Sequence, residues 1–193
     1  MTIRLTLVSP AMTAALREAR FEADAPLDAA GLRAVRAARA ARAAAGSLPA
    51  AGHALSGPSL RCRETAAELG LTARVEPGLT EWRLGRWHGR TLAEVSGAEP
   101  DAVSAWLTDP SAAPHGGETL RELCARVGAW LESLPPDSGR VVAVADAAVI
   151  RAALVHALGA GTEVFWRLDV APLRGVELTG RGARWNARVG WGL

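Results

Sequence analysis

Hydrophobic positions along the chain alternate between two periods, and the alternation predicts the elements. Ile3 to Val8 is a short apolar run of the kind that forms a buried strand, and the turn Ser9-Pro10 closes it. Asp28 can cap a long helix from Ala29 to about Ala45. His53 to Ser56 reads as a second strand. It runs into Ser56-Gly57-Pro58, read as a helix start with a cap residue and a proline in the first turn. That helix carries Arg61, Thr65 and Leu69. Glu76 to Arg90 is rich in Pro, Gly, Trp and charge, and reads as an ordered loop. Asp101 to Leu107 and Glu118 to Leu134 read as helices, and Leu120, Leu123, Val127 and Leu131 give the second one apolar stripe. Arg140 to Ala145 fits a central parallel strand, and a helix follows from Ala147 to Leu158. Two last strands, near Val176 and Trp185, flank the turn Gly180-Arg181-Gly182.

Strands alternating with helices predict an α/β fold: three layers, α/β/α, with a mainly parallel sheet flanked by helices. In such sheets ligands sit at the carboxyl ends of the strands. Three strand ends are therefore of interest: Ser9-Pro10, Ser56 to Arg61, and Asp146. With 193 residues, the chain is long enough to bury a core without a disulfide or metal staple. One domain is expected over residues 1–193, with a loop and helical insertion around 76–118.

Composition narrows the chemistry. Lys, Gln and Tyr are absent, so all 22 basic residues are Arg. A Schiff-base lysine, a P-loop ending in Gly-Lys and a phenolic acid are thereby excluded. The sequence pI is near 9.0, yet the net charge is only +2. The high pI reflects arginine's reluctance to deprotonate. Arg33, Arg36, Arg39 and Arg42 form a basic stripe read first as a solvated helix face; a nucleic-acid partner is not expected. Cys62 and Cys124 form no ligand-like pair, and a reducing cytoplasm is the default. Neither a signal peptide nor a membrane span is expected.

Six segments, in order, resemble the histidine phosphatase superfamily, the phosphoglycerate-mutase-like phosphatases. Leu7-Val8-Ser9-Pro10-Ala11-Met12-Thr13 stands where the family has Leu-Val-Arg-His-Gly-Glu-Thr. Asp24-Ala25-Pro26-Leu27-Asp28-Ala29-Ala30-Gly31 is similar to its Asp-x-Pro-Leu-Thr-x-x-Gly. Ser56-Gly57-Pro58-Ser59-Leu60-Arg61-Cys62-Arg63-Glu64-Thr65-Ala66 resembles its Ser-Ser-Pro-Leu-x-Arg-Ala-x-x-Thr-Ala. The segment from Leu79 to Gly89 resembles Leu-x-Glu-x-x-x-Gly-x-Trp-Glu-Gly, and Pro114 to Thr119 its Gly-Gly-Glu-Ser loop. Val144-Ala145-Asp146-Ala147-Ala148-Val149-Ile150-Arg151 stands where the family has Val-Ser-His-Gly-Gly-Val-Ile-Arg.

The departures fall on the chemistry that the resemblance implies. The family's nucleophilic His is replaced by Pro10, its adjacent phosphate-gripping Arg by Ser9, and its second His by Asp146. Arg61 and the family's proton donor, Glu81, are kept. A pocket built to hold a phosphate dianion needs cations. Here the matched positions bring one cation and two carboxylates, and Asp146 and Arg61 are expected to pair. Phosphohistidine chemistry is not expected.

Two readings follow. One is a small-molecule-binding or regulatory pseudoenzyme. The other is a repurposed hydrolase, lyase, cyclase or isomerase with Glu81 and Asp146 as acid and base. Ser9, Arg61, His115 and Ala147 are the expected substrate-binding residues. Asp146 has an alternative role as a helix N-cap, and His115 as an exposed loop residue. His88 and His156 are read as packing and core residues. Trp106 and Trp130 are read as core, and Trp82 and Trp87 as candidate pocket walls. Trp166, Trp185 and Trp191 receive no ligand role. The four His show no metal-ligand spacing, so no metal and no cofactor are expected. A small-molecule ligand in the cleft is the expected partner, and a homodimer is compatible with the sequence.

Overall fold

The computed structural model describes residues 2–21, 24–44, 52–181 and 184–188, without the side chain of Arg42. Ala45, the far side of the turn at Gly182, Trp191 and the fourth stripe side chain lie outside the described residues.

Six strands form one sheet in the order β3-β2-β4-β1-β5-β6. They are β1 (Ile3–Val8), β2 (His53–Ser56), β3 (Arg74–Val75), β4 (Arg140–Val144), β5 (Gly175–Arg181) and β6 (Arg184–Arg188). β1 to β4 run parallel, while β5 is antiparallel to both β1 and β6. The helices are α1 (Ala14–Arg17), α2 (Ala29–Ala44), α3 (Leu60–Glu68), α4 (Leu92–Ala98), α5 (Pro100–Thr108), α6 (Leu120–Ser133) and α7 (Ala147–Ala157).

The sheet has a core on each face, set by the period-2 alternation of its strands. In β4, Val141 and Ala143 join the larger cluster, with α6 and α7. Val142 and Val144 join a smaller one with Val35 of α2 and Cys62 and Ala66 of α3. The stripe Leu120, Leu123, Val127 and Leu131 is buried as its spacing predicts. Asp28 caps α2, its Oδ1 accepting from the Gly31 N–H at 2.7 Å. Arg36 bridges α2 to Glu68 of α3 at 2.8 Å, so part of the basic stripe joins two helices.

The stretch from Glu76 to Arg90, read from sequence as an ordered loop, holds short regular turns, and a further helix precedes the one expected over Asp101 to Leu107. 3-10 turns at Pro77–Leu79 and Gly85–Trp87 precede α4, which is closed by a capping box between Thr91 and Glu94. Beneath them lies an aromatic cluster. Trp82 and Trp106 sit 5.3 Å apart, Trp87 and Trp106 5.6 Å, and Trp106 and Trp166 4.8 Å.

Candidate functional site

Three parallel strand ends are tied together before any side chain is considered. The Gly57 N–H donates to the Val144 carbonyl at 2.8 Å, and the Ala145 N–H to the Val8 carbonyl at 3.0 Å. The ends of β1, β2 and β4 therefore form one ledge. A Cβ on Gly57 would lie 2.8 Å from the Leu79 carbonyl oxygen, so glycine there lets the Glu76–Glu81 segment close onto the ledge.

α3 begins one turn later than the sequence suggested. Its cap is Ser59, not Ser56, with the Ser59 Oγ accepting from the Cys62 N–H at 3.4 Å. Pro58 thus precedes the helix rather than entering its first turn. The shift places Arg61 in the first turn of α3, aimed at the end of β4.

Arg61 is 8% exposed and Asp146 2%. The Arg61 Nε lies 2.6 Å from the Asp146 Oδ1, and its Nη2 pairs with Glu81. The Ser59 Oγ donates to the Asp146 Oδ2 at 3.1 Å. One buried guanidinium is thus held between two carboxylates. Burial alone would pull its pKa down, but Asp146 and Glu81 outweigh burial and raise it above its ordinary value.

Asp146 occupies the N-cap position of α7 but makes no cap hydrogen bond. The cap role expected from sequence is therefore limited to backbone geometry. Its oxygens go to Arg61 and Ser59, because a charge-assisted bond to a guanidinium outweighs one to a neutral amide. Ala147, half-buried, opens α7 beside it.

Ser9 and His115 are committed elsewhere. The buried Ser9 hydroxyl contacts the carbonyls of Ala171 at 2.6 Å and Arg174 at 3.0 Å, and accepts from the Arg174 N–H at 3.2 Å. It fastens the loop before β5 to the end of β1. His115 is 1% exposed, not an exposed loop residue. Its Nδ1 accepts from the Gly117 N–H at 3.0 Å, and its ring packs on Trp82 and Trp87. Its buried Nε2 has no protein partner. Desolvation, with Arg86 adding to it, lowers its pKa below the ordinary value. Backbone contact holds it in place: the Arg86 N–H donates to the His115 carbonyl at 2.9 Å, and a Cβ on Gly85 would collide with that carbonyl.

Ser59 and Glu81 also reach a cleft of about 250 Å³, lined by Asp24, Pro58, Ser59, Thr80, Glu81 and His88. Asp24, Thr80 and His88 were not singled out as site residues from sequence. His88, read as a packing residue, is exposed at this cleft. Its position seven residues after Glu81, past a glycine-led turn, is the signal that could have found it. Trp82 and Trp87 are buried in the aromatic cluster and do not line it. His156 pairs with Glu132 at 3.2 Å and is only partly buried. Among the described residues, no group of three or more His, Cys, Asp or Glu is placed to hold a metal ion, and no helix is long and apolar enough to cross a membrane.

The model for the histidine phosphatase superfamily (branch 1) matches residues 11–190. The chain belongs to the histidine phosphatase superfamily. Among curated proteins, a bifunctional protein of Mycobacterium tuberculosis is 32% identical over 137 residues, covering 67% of this chain. The match spans only 38% of that relative's length. A glucosyl-3-phosphoglycerate phosphatase of the same organism is 41% identical over 70 residues, 34% of this chain and 31% of that one. The solved structure of a mycobacterial glucosyl-3-phosphoglycerate phosphatase superposes with a TM-score of 0.80 at 26% identity, covering 97% of both chains. A putative alpha-ribazole-5'-P phosphatase of Escherichia coli has a TM-score of 0.84 at 20% identity, covering 97% of this chain and 95% of that one, a likeness of fold alone. The superfamily match agrees with the mixed sheet flanked by helices.

Proposed function

We propose that this superfamily member lacks phosphohistidine-based phosphatase and mutase activity and serves as a small-molecule-binding or regulatory protein. The observation that carries this reading is the Arg61 guanidinium, spent between Asp146 and Glu81. A phosphate monoester would have to displace a built-in carboxylate from the cation that should grip it. The positions of the nucleophile and the second histidine, taken from the resemblance, hold Pro10 and Asp146. The similar glucosyl-3-phosphoglycerate phosphatase supplies the comparison enzyme. With para-nitrophenyl phosphate or glucosyl-3-phosphoglycerate, the protein is expected to release no phosphate above background. Turnover that disappears in Arg61→Ala would overturn the reading.

A second reading is favoured by one observation: Asp146 makes no cap bond and is linked to the cleft through Ser59. Glu81 and Asp146 would then serve as acid and base, with Arg61 orienting a substrate. Ser9, His115 and Ala147 are the substrate-binding residues proposed for this reading, although none of them lines the cleft. A metabolite screen by thermal shift separates the two readings. Product formation lost in both Glu81→Gln and Asp146→Asn supports the enzyme; binding without turnover supports the regulatory protein. The proposal includes one cytoplasmic domain over residues 1–193, with 76–118 as its insertion, and no cofactor or metal.

A further inference from the structure

The surroundings of His115 suit only its neutral ring. Nδ1 accepts the Gly117 N–H at 3.0 Å, which takes a lone pair, so the ring proton is on Nε2. Nε2 is buried without a hydrogen-bond partner, and the ring meets Trp82 and Trp87 with centroids 6.5 and 5.1 Å away. A second proton would set an Nδ1 donor against the Gly117 donor and bury a cation with no acceptor. Two indoles attract a cation far less than the water it would lose. The charged groups nearby give no relief. Arg86 is itself a cation, bonded to the Pro114 carbonyl and Glu99. Glu99 also holds Arg90 at 3.0 Å and the Trp87 indole N–H at 3.4 Å. Glu118, on the same loop, is taken by Arg126 of α6 at 2.7 Å, with Arg83 at 3.6 Å. Trp106, Phe165 and Trp166, packed against Trp82, bring only rings.

This loop is tied to the segment that follows Glu81. The Arg86 N–H donates to the His115 carbonyl at 2.9 Å, and the Glu118 N–H to the Arg83 carbonyl at 2.7 Å. A Cβ on Gly117 would collide with the Arg83 carbonyl, so glycine there permits the approach. The Trp82 indole N–H donates to the Glu118 carbonyl at 2.7 Å. Trp82 directly follows Glu81, which pairs with Arg61. We infer that His115 is an acid-sensitive latch: once protonated it lets go of Gly117, residues 115–118 part from residues 83–87, and Trp82 no longer fixes Glu81 against Arg61. The latch is independent of which reading of the cleft stands. Its direction follows from the proton. The buried ring takes one less readily than a ring in water, with its ordinary value of 6.5, because desolvation and then Arg86 oppose the charge. Between those two values each unit fall in pH favours the opened loop tenfold.

Nuclear magnetic resonance of the whole chain labelled with nitrogen-15, from about pH 7.5 to about pH 5, tests the latch. Long-range spectra read the imidazole nitrogens, and hydrogen exchange reads the amides of Gly117 and Glu118. At neutral pH the His115 proton is expected on Nε2. On acidification the protection of both amides should fall by up to about tenfold per pH unit, where the ring takes its second proton, while Val142 and Ala143 of β4 keep theirs. A ring that is protonated while both amides stay protected overturns the latch. So does protection lost equally in β4, which is unfolding of the whole molecule. His115→Asn keeps an oxygen for the Gly117 N–H and cannot titrate, so its loop should stay closed across the range; opening like that of the wild type overturns the role of His115. The coincidence of ring and amides in the wild type stands as a test even where that variant does not fold. His88 titrates beside Glu81 at the cleft, so the link to the site is read in His88→Gln. There the Glu81 amide resonance should move together with that of Gly117, and a Glu81 that stays in place as the loop opens overturns the link.

Discussion

The Nε of Arg61 stands 2.6 Å from the Oδ1 of Asp146, joining the first turn of α3 to the end of β4 across 85 residues of sequence. The pair is nearly dry, so its members are costly to separate. Asp146→Ala should destabilise the fold by about 2–3 kcal/mol, less than for an isolated buried pair because Glu81 still holds the guanidinium. Adding Arg61→Met should cost less than the sum of the two single changes. Urea unfolding of the four proteins checks this; simple additivity would mean that the two side chains are not coupled.

His115 makes stability depend on pH. Its folded pKa lies below that of the unfolded chain, near the ordinary 6.5. The unfolded state therefore takes up the proton first as pH falls. Stability is full above the unfolded pKa and declines as pH drops from there toward the folded pKa. His115→Gln should flatten that part of the profile, measured by denaturant midpoints between about pH 7 and pH 5. An unchanged slope would place the effect on other groups.

The two thiols should be inert. Burial first, then Asp146, pushes the Cys62 thiol well above its ordinary pKa, and burial with Glu118 pushes Cys124 up to about 11. The thiolate is the reactive form. Ellman's reagent at about pH 8 should label neither until denaturant is added. Cys62, on the buried face of α3, should report unfolding of that helix.

Gly57→Ala should act at a distance from itself. The added methyl would lie 2.8 Å from the Leu79 carbonyl, so the Pro77–Glu81 segment must move. We expect a loss of about 1–3 kcal/mol, together with a shift of the Glu81 amide resonance. A stable protein with an unmoved Glu81 would show that the ledge and this segment are not locked together.

Most of the scaffold was legible in the sequence because its signals are local. β1 and β2 have the expected limits, α2 starts where Asp28 caps it, and the paired Arg61 and Asp146 are found in contact. α4 was missed although its Thr91 and Glu94 form a readable capping box. β3 has two residues, too short to show a period. The burial of His115, and the second carboxylate on Arg61, depend on loops brought together by glycines at positions 57, 85 and 117. Such close backbone approaches leave no trace in hydrophobic patterning.

Ser9 ties two distant parts of the chain together. The resemblance places a phosphate-gripping arginine there, but this serine now pegs the loop at Ala171 and Arg174 to the first strand. An arginine at position 9 would lose the serine's bonds to Ala171 and Arg174 before it gained an anion to hold. With Asp146 still on Arg61, a change at either position alone would leave a phosphate without a free pair of cations, so the two positions act as a coupled pair.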